Sequence, residues 1–358
     1  MIIKSNPSLI KRVKTLDETN NVNMNVASLL VDAFSYTDIF DEADIKQYIK
    51  EGLNEKEAVL EALCRFFSID YEEEENKTVL DDYLLNNLVK LNPEDYTNNP
   101  YVEAIKAVGK HGKYSLKYID YAPYQLFAYD DIYLDGDKEF SRIGYFNQKF
   151  SYLALCEGNN IWMSLNPNEI ETMKPYIDAA KGKVLVLGLG MGYVPFMMAL
   201  KDNVESITII EKDPEIISLF NDLIWPNFKN KEKIKIVQDD AISYYNKRVN
   251  QAKYDYAFAD LWHSPEDGLS LFVNLKRANR CIDCWLEVSM FALLKRCMIT
   301  LLIETLDKYG EDNYKHARNY TDKVINKYYE KTKNLTLEKD EDLDNLLKDD
   351  NLLNLLID

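Results

Sequence analysis

The sequence predicts a doubly wound α/β protein, and three observations predict it. Residues 184–187 (Val-Leu-Val-Leu) form a short run with no polar alternation, as expected of a parallel strand buried on both faces. Gly188, Gly190 and Gly192 follow at alternate positions, and then comes an apolar stretch long enough to begin a helix. Downstream, strand-like runs at 206–211, 234–238 and 254–260 alternate with helical stretches at 214–223 and from Ala241. Units in this order imply a mostly parallel sheet that binds ligands at the carboxyl ends of its strands.

Residues 1–110 read as a helical accessory domain. Apolar positions recur at helical spacing in 27–34, 44–49 and 55–67, with Asn54 as a cap. The acidic run 72–75 reads as a solvated loop, and 79–91 resumes the helical period until Asn92-Pro93 ends it. Residues 111–166 form a β-hairpin region. Short segments rich in Tyr, Phe and Ile (114–121, 125–129, 132–134, 142–146, 150–156) are punctuated by turns at 135–137 and 157–160. Asn166-Pro167 starts a helix that opens the ligand-binding domain, 167–310, with Pro175 as a candidate kink. Residues 281–287 are a candidate fifth strand and 289–308 a helix. The tail, 311–358, reads as polar and helical.

Composition narrows the function. Of 358 residues 46% are hydrophobic, enough for one good core and a second, smaller one. With 43 Lys and Arg against 60 Asp and Glu, the net charge is −17, which repels nucleic acid phosphates and anionic lipid. The expected partner is a small molecule, favoured if cationic, with no nucleic acid and no membrane. A homo-oligomer is left open. Five cysteines make a sparse, odd set that fits a reducing cytoplasm. Cys281 and Cys284 form a C-x-x-C with no completing pair, so no metal site is expected. No apolar signal segment opens the chain, and 298–303 is too short to span a bilayer.

The glycine spacing excludes two phosphate-binding motifs. A dinucleotide fingerprint would put its third glycine where Tyr193 stands, and no Lys-Ser/Thr ending follows for a P-loop. The loop, with Gly188, Gly190, Met191 and Gly192, still brings backbone N–H groups close to a nucleotide-like ligand, because no Cβ stands in the way. Glu211 lies about twenty residues past the glycines, where a carboxylate accepts both ribose hydroxyls. Asp240, just before Ala241, is placed to accept from an adenine amino group. Asp260 ends the fourth strand, where a sulfonium and an acceptor would meet.

Residues 184–260 resemble the class I S-adenosylmethionine-dependent methyltransferases, and more narrowly their spermidine synthase (aminopropyltransferase) branch. The narrower resemblance rests on Leu155, Glu157 and Gly158 followed by Asn168 and Glu169, on Glu211 with Asp213, and on Asp260 through Pro265; it spans about 142–275. It implies a Rossmann-like fold and an S-adenosylmethionine or decarboxylated S-adenosylmethionine ligand. Two positions depart from that branch. Where it carries a loop aspartate for the donor amino group, this chain has Met191, and where it carries a second aspartate after the fourth strand, this chain has His263. Each lost carboxylate removes a charge-assisted contact worth roughly 1.5–3 kcal/mol to a polycation.

These departures favour a methyltransferase acting on a small, cationic acceptor. The alternative is an aminopropyltransferase using the decarboxylated donor, and a second alternative is a non-catalytic adenosyl-binding or scaffold protein. Transfer needs an in-line nucleophile at about 3–3.5 Å and a group that orients or strips its proton. Asp260 is the first candidate for that role and His263 the second. Trp262 and Trp162 are candidate walls or cation–π partners of the substrate, Trp162 being expected in the core, and Glu169 is a candidate at the acceptor mouth.

Overall fold

The computed structural model describes residues 1–36, 39–248 and 254–357, so the helix expected from Ala241 and the tail expected to 358 are described as far as Arg248 and Ile357. The chain forms two compact units. One comprises Val26–Tyr133 and Phe140–Asp260; the other comprises Met1–Asn25, Leu134–Glu139 and Leu261–Asp358.

In the first unit, helices Glu42–Lys50, Glu55–Phe67 and Glu74–Tyr83 precede the sheets. Asn54 accepts from Lys56 and Glu57 N–H while Glu57 reaches back to the Asn54 N–H, a reciprocal cap that fixes where the second helix starts. The acidic run expected as a loop is partly helix, because Glu74 and Glu75 sit in a first turn where the helix dipole favours carboxylates. The expected helix at 79–91 stops at Tyr83, and Leu88–Lys90 is instead a strand pairing in parallel with Ile143–Tyr145. A partner strand decides between helix and strand where a short apolar run does not.

Four antiparallel strands follow in the spatial order Asn160–Ser164, Phe150–Glu157, Tyr114–Tyr121, Gly109–His111. Asn166 then caps helix Pro167–Ala179 by accepting from the Glu169 N–H at 3.0 Å.

Four parallel strands carry the expected α/β pattern: β1 (Gly182–Leu187), β2 (Val204–Glu211), β3 (Ile234–Gln238) and β4 (Tyr256–Ala259). They pair in the order β3-β2-β1-β4, with Leu187 opposite both Ile210 and Ala259. Residues 184–187 of β1 are fully buried, each side chain worth roughly 1.5–3 kcal/mol of apolar transfer. Helices Tyr193–Ala199, Pro214–Leu219 and Ala241–Arg248 follow successive strands. The helix expected over 214–223 changes at Phe220 into a π-turn (Phe220–Ile224) and then a 3₁₀ turn containing Pro226, whose missing N–H ends the regular ladder.

The second unit is mainly helical. Its longer helices are residues 7–25 of helix Pro7–Ser35, Pro265–Ala278, Glu287–Leu306 and Tyr320–Thr332, with Asp340–Leu346 and Asp349–Ile357 after them; Ile2–Ile3 pairs in parallel with Thr336–Leu337. The polar reading of the tail holds only for its outer face, because Leu343, Leu346, Leu352, Leu353 and Leu356 are buried. The fifth strand expected at 281–287 shrinks to Asp283–Cys284, since Leu286 turns to a positive φ of 54° and launches the next helix. Segment Leu134–Glu139 is tied down by ion pairs of Asp137 with Arg12 (2.6 Å) and Lys295 (2.9 Å), and of Glu139 with Arg296.

All five cysteines are free thiols, with Cys281 exposed and Cys284 buried. No group of metal-ligating side chains occurs among the described residues, and none of their helices is long and apolar enough to cross a membrane.

Candidate active site

The site is built where β1 runs into its glycine turn. Gly188, Gly190 and Gly192 all have positive φ, at 101°, 54° and 75°. Glycine is required most plainly at two of them. A Cβ on Gly192 would stand 2.4 Å from Phe220 Cε2, and one on Gly190 would stand 2.9 Å from Met163 Sδ. The edge strand Asn160–Ser164 therefore lies against the loop, which nothing in the sequence flagged.

Glu211, at the end of β2, is fastened to the loop. One carboxylate oxygen accepts from the Leu189 N–H (3.1 Å) and the other from the Asp213 N–H (2.8 Å). Asp213 in turn caps helix Pro214–Leu219 through the Glu215 N–H and accepts from the Tyr114 hydroxyl at 2.9 Å. Both oxygens are thus oriented by backbone amides, and each keeps lone-pair capacity for a further donor. Asp240, after β3, is exposed and accepts from the Ser243 N–H at 2.8 Å, so it caps helix Ala241–Arg248; Ala241 beside it is buried.

Glu169 and Asp260 make the second feature. Glu169 sits in the first turn of helix Pro167–Ala179, and Asp260 follows β4 with its N–H donating to Leu187 O at 2.9 Å. Both residues are partly buried and their carboxyls are close enough to interact, and no hydrogen bond or ion pair joins either carboxyl to another of the described residues. Burial pushes the Asp260 carboxyl up to about 7. Burial first, and the Asp260 charge second, push Glu169 well above the ordinary carboxylate range. Two unpaired carboxyls in such surroundings hold a proton at neutral pH and are ready to trade it for a cation.

Not every expected residue joins them. Trp262 and His263 belong to the other unit. Trp262 is only 5% exposed and its ring lies on Gly268, where an added Cβ would be 2.4 Å from Cγ, so it is a packing residue and not an open wall for substrate. His263 donates its backbone N–H to the Asp267 carboxylate, and its ring faces that same carboxylate at 3.5 Å. It sits just before the cap of helix Pro265–Ala278, in which Ser264 and Asp267 bond reciprocally. Trp162 is not in the core as expected. It is exposed on the edge strand, its ring 6.4 Å from that of Tyr114.

Tyr101, Asn99, Tyr114 and Met163 also support the loop without being site candidates in the sequence, and Asp213, which entered there only through the family resemblance, supports it too. Asp213-Pro214 carries a helix-start signal, and Asn99-Pro100 carries another. The remaining three are apolar or aromatic residues whose partners lie far away in sequence.

The sheet order, the glycine turn after β1 and the carboxylates at the ends of β2, β3 and β4 define a Rossmann-like α/β class of protein. Comparison with known families narrows that class. Residues 170–348, half of the chain, match the family model described as the spermine/spermidine synthase domain, and the chain belongs to that family.

Two solved structures illustrate the likeness. A spermidine synthase from Thermotoga maritima is 13% identical with a TM-score of 0.31, over 54% of this chain and 62% of that one. A spermidine synthase in complex with the transition state analogue AdoDATO is 15% identical with a TM-score of 0.29, over 50% of this chain and 54% of that one. This chain therefore spans less than two thirds of either. No curated protein matches it. The family match overturns the expectation of methyl transfer, which rested on Met191 and His263 replacing two carboxylates; the rest of the domain outweighs two substitutions.

Proposed function

We propose that the protein transfers an aminopropyl group from decarboxylated S-adenosylmethionine to an amine. The observation that carries the reading, beyond the family, is the unpartnered carboxyl pair Glu169 and Asp260. Met191 supplies no carboxylate at the loop and its side chain is buried, so this pair is the anionic feature left to face ammonium groups. Glu211 fits the ribose hydroxyls, because its oxygens are oriented by amides and retain acceptor capacity. The Gly190 and Met191 N–H groups have no backbone partner among the described residues and complete the donor cradle.

In the reaction the acceptor ammonium gives up one proton, and the freed nitrogen lone pair attacks the propyl carbon bonded to sulfur. The C–S bond breaks, methylthioadenosine leaves, and the alkylated nitrogen stays protonated. A carboxylate titrating at about 7 is well matched to take that proton at neutral pH. Asp260 is assigned that role, with Glu169 holding the ammonium form of the acceptor as it arrives.

The test is product analysis by mass spectrometry. The full chain is incubated with decarboxylated S-adenosylmethionine and, in turn, linear mono-, di- and triamines, with S-adenosylmethionine run in parallel. Methylthioadenosine and an aminopropylated amine are the expected products. Donor binding without either product would point to a binding protein, and no binding at all would remove the reading.

A further inference from the structure

Tyr101 lies 90 positions before the glycine loop in sequence and is completely buried. Its hydroxyl donates to the backbone carbonyl of Met191, between the second and third glycines. Burial raises the phenol's pKa, which keeps it protonated as a donor. The ring is fixed independently of that bond. It packs edge-on against Tyr193 (centroids 5.6 Å, 86°) and Phe196 (5.2 Å, 86°), and Asn99 caps its short helix by accepting from the Tyr101 N–H at 2.9 Å.

This contact has a geometric consequence for the loop. In a planar trans peptide the Met191 carbonyl and the Gly192 N–H point opposite ways. The carbonyl is held by Tyr101, and the N–H donates to Leu189 O at 2.8 Å. One peptide plane is therefore pinned at both ends in a segment whose three glycines would otherwise let it turn over easily. Gly188 N–H is committed to Ile210 O and Leu189 N–H to Glu211, so Gly190 and Met191 N–H remain without partners among the described residues.

We infer that Tyr101 is a positioning residue: its buried hydroxyl locks the Met191–Gly192 peptide so that the Gly190 and Met191 amides stay presented to the adenosyl donor. The role for the donor rests on the proposed function, whereas the locking of the peptide does not.

The experiment is residue-resolved hydrogen exchange across 187–196 of the full chain, alone and with methylthioadenosine, for wild type and Tyr101→Phe. The variant keeps the ring and its packing and loses only the hydroxyl. In the ligand-free wild type, Gly192 should be protected and Gly190 and Met191 should exchange fast. In Tyr101→Phe, Gly192 exchange should accelerate about threefold to tenfold, the range expected for one lost hydrogen bond. Calorimetry should show weaker binding of the decarboxylated donor by a similar factor, as a raised KM with kcat unchanged.

Tyr328→Phe, which removes a buried and unbonded hydroxyl in the other unit, should leave the loop as it was. Wild-type exchange at Gly192 in Tyr101→Phe, or protection of Gly190 and Met191 in the ligand-free wild type, would overturn the inference. The second readout stands even if Tyr101→Phe does not fold. If methylthioadenosine and the decarboxylated donor bind neither protein, the proposed function falls, while the ligand-free exchange still decides what Tyr101 does.

Discussion

The carboxyls of Asp260 and Glu169 lie above the ordinary carboxylate range because burial acts on both and no cation offsets it. Their folded-state pKa values lie above the unfolded ones, so the folded protein holds their proton more tightly. Stability from this source is fully present below the ordinary carboxylate range, about 4, and is lost as pH rises through about 7. In Asp260→Asn that loss should shrink. Thermal scans should place the variant's Tm above wild type at pH 8 by a few degrees, about 2–4 °C per kcal/mol for a unit the size of the one that holds Asp260, with a smaller gap at pH 5. By the proposed mechanism, aminopropyl transfer by the variant should be abolished. A variant less stable than wild type at pH 8 would show that Asp260 is stabilised as an anion after all.

At the scale of elements, the glycine loop is wedged between neighbours that arrive from elsewhere in the chain. Phe220, at the head of the π-turn, is fully buried and fills the space beside Gly192; Met163, on the edge strand, does the same beside Gly190. Gly192→Ala must both hold a φ of 75° and displace a ring from 2.4 Å, so urea denaturation should show a loss of roughly 1–3 kcal/mol or more. Gly136, also at positive φ (61°) but with nothing within 4 Å of an added Cβ, is the matched comparison, and Gly136→Ala should cost clearly less. Equal losses would mean that backbone conformation alone, and not Phe220, enforces glycine in the loop.

The same contrast explains what was legible. Val184 through Gly192, Glu211 and Asp260 declare themselves because each is a local pattern: an apolar run, a glycine spacing, a carboxylate closing a strand. Trp162 and Trp262 were misjudged because composition does not say which face of a strand or loop is covered. Trp162 is left 36% exposed on the edge strand, while Trp262 is covered by its contact with Gly268. The strand at Leu88–Lys90 looks helical in sequence because its partner, Ile143–Tyr145, is over fifty residues away.

On the scale of the whole molecule, the net charge of −17 is a long-range field that local geometry does not cancel. It should draw a cationic amine toward the protein and leave a neutral nucleoside product unaffected. Raising ionic strength from about 0.05 to 0.5 M shortens the screening length severalfold, so KM for the amine should rise by about threefold or more while the Kd of methylthioadenosine stays nearly constant. A salt-insensitive KM would place recognition of the amine entirely in short-range contacts.

The order of β and α units, the glycine turn and the strand-end carboxylates followed from the sequence alone, because periodicity and turn chemistry act between residues close together in the chain. The tertiary structure alone decided that Glu211 grips the loop it faces, that Glu169 and Asp260 come close enough to interact in a partly buried setting, and that Tyr101 reaches across ninety residues to pin a single peptide. Those are properties of distance and dielectric, and a linear chain acquires them only when folding brings remote segments into contact.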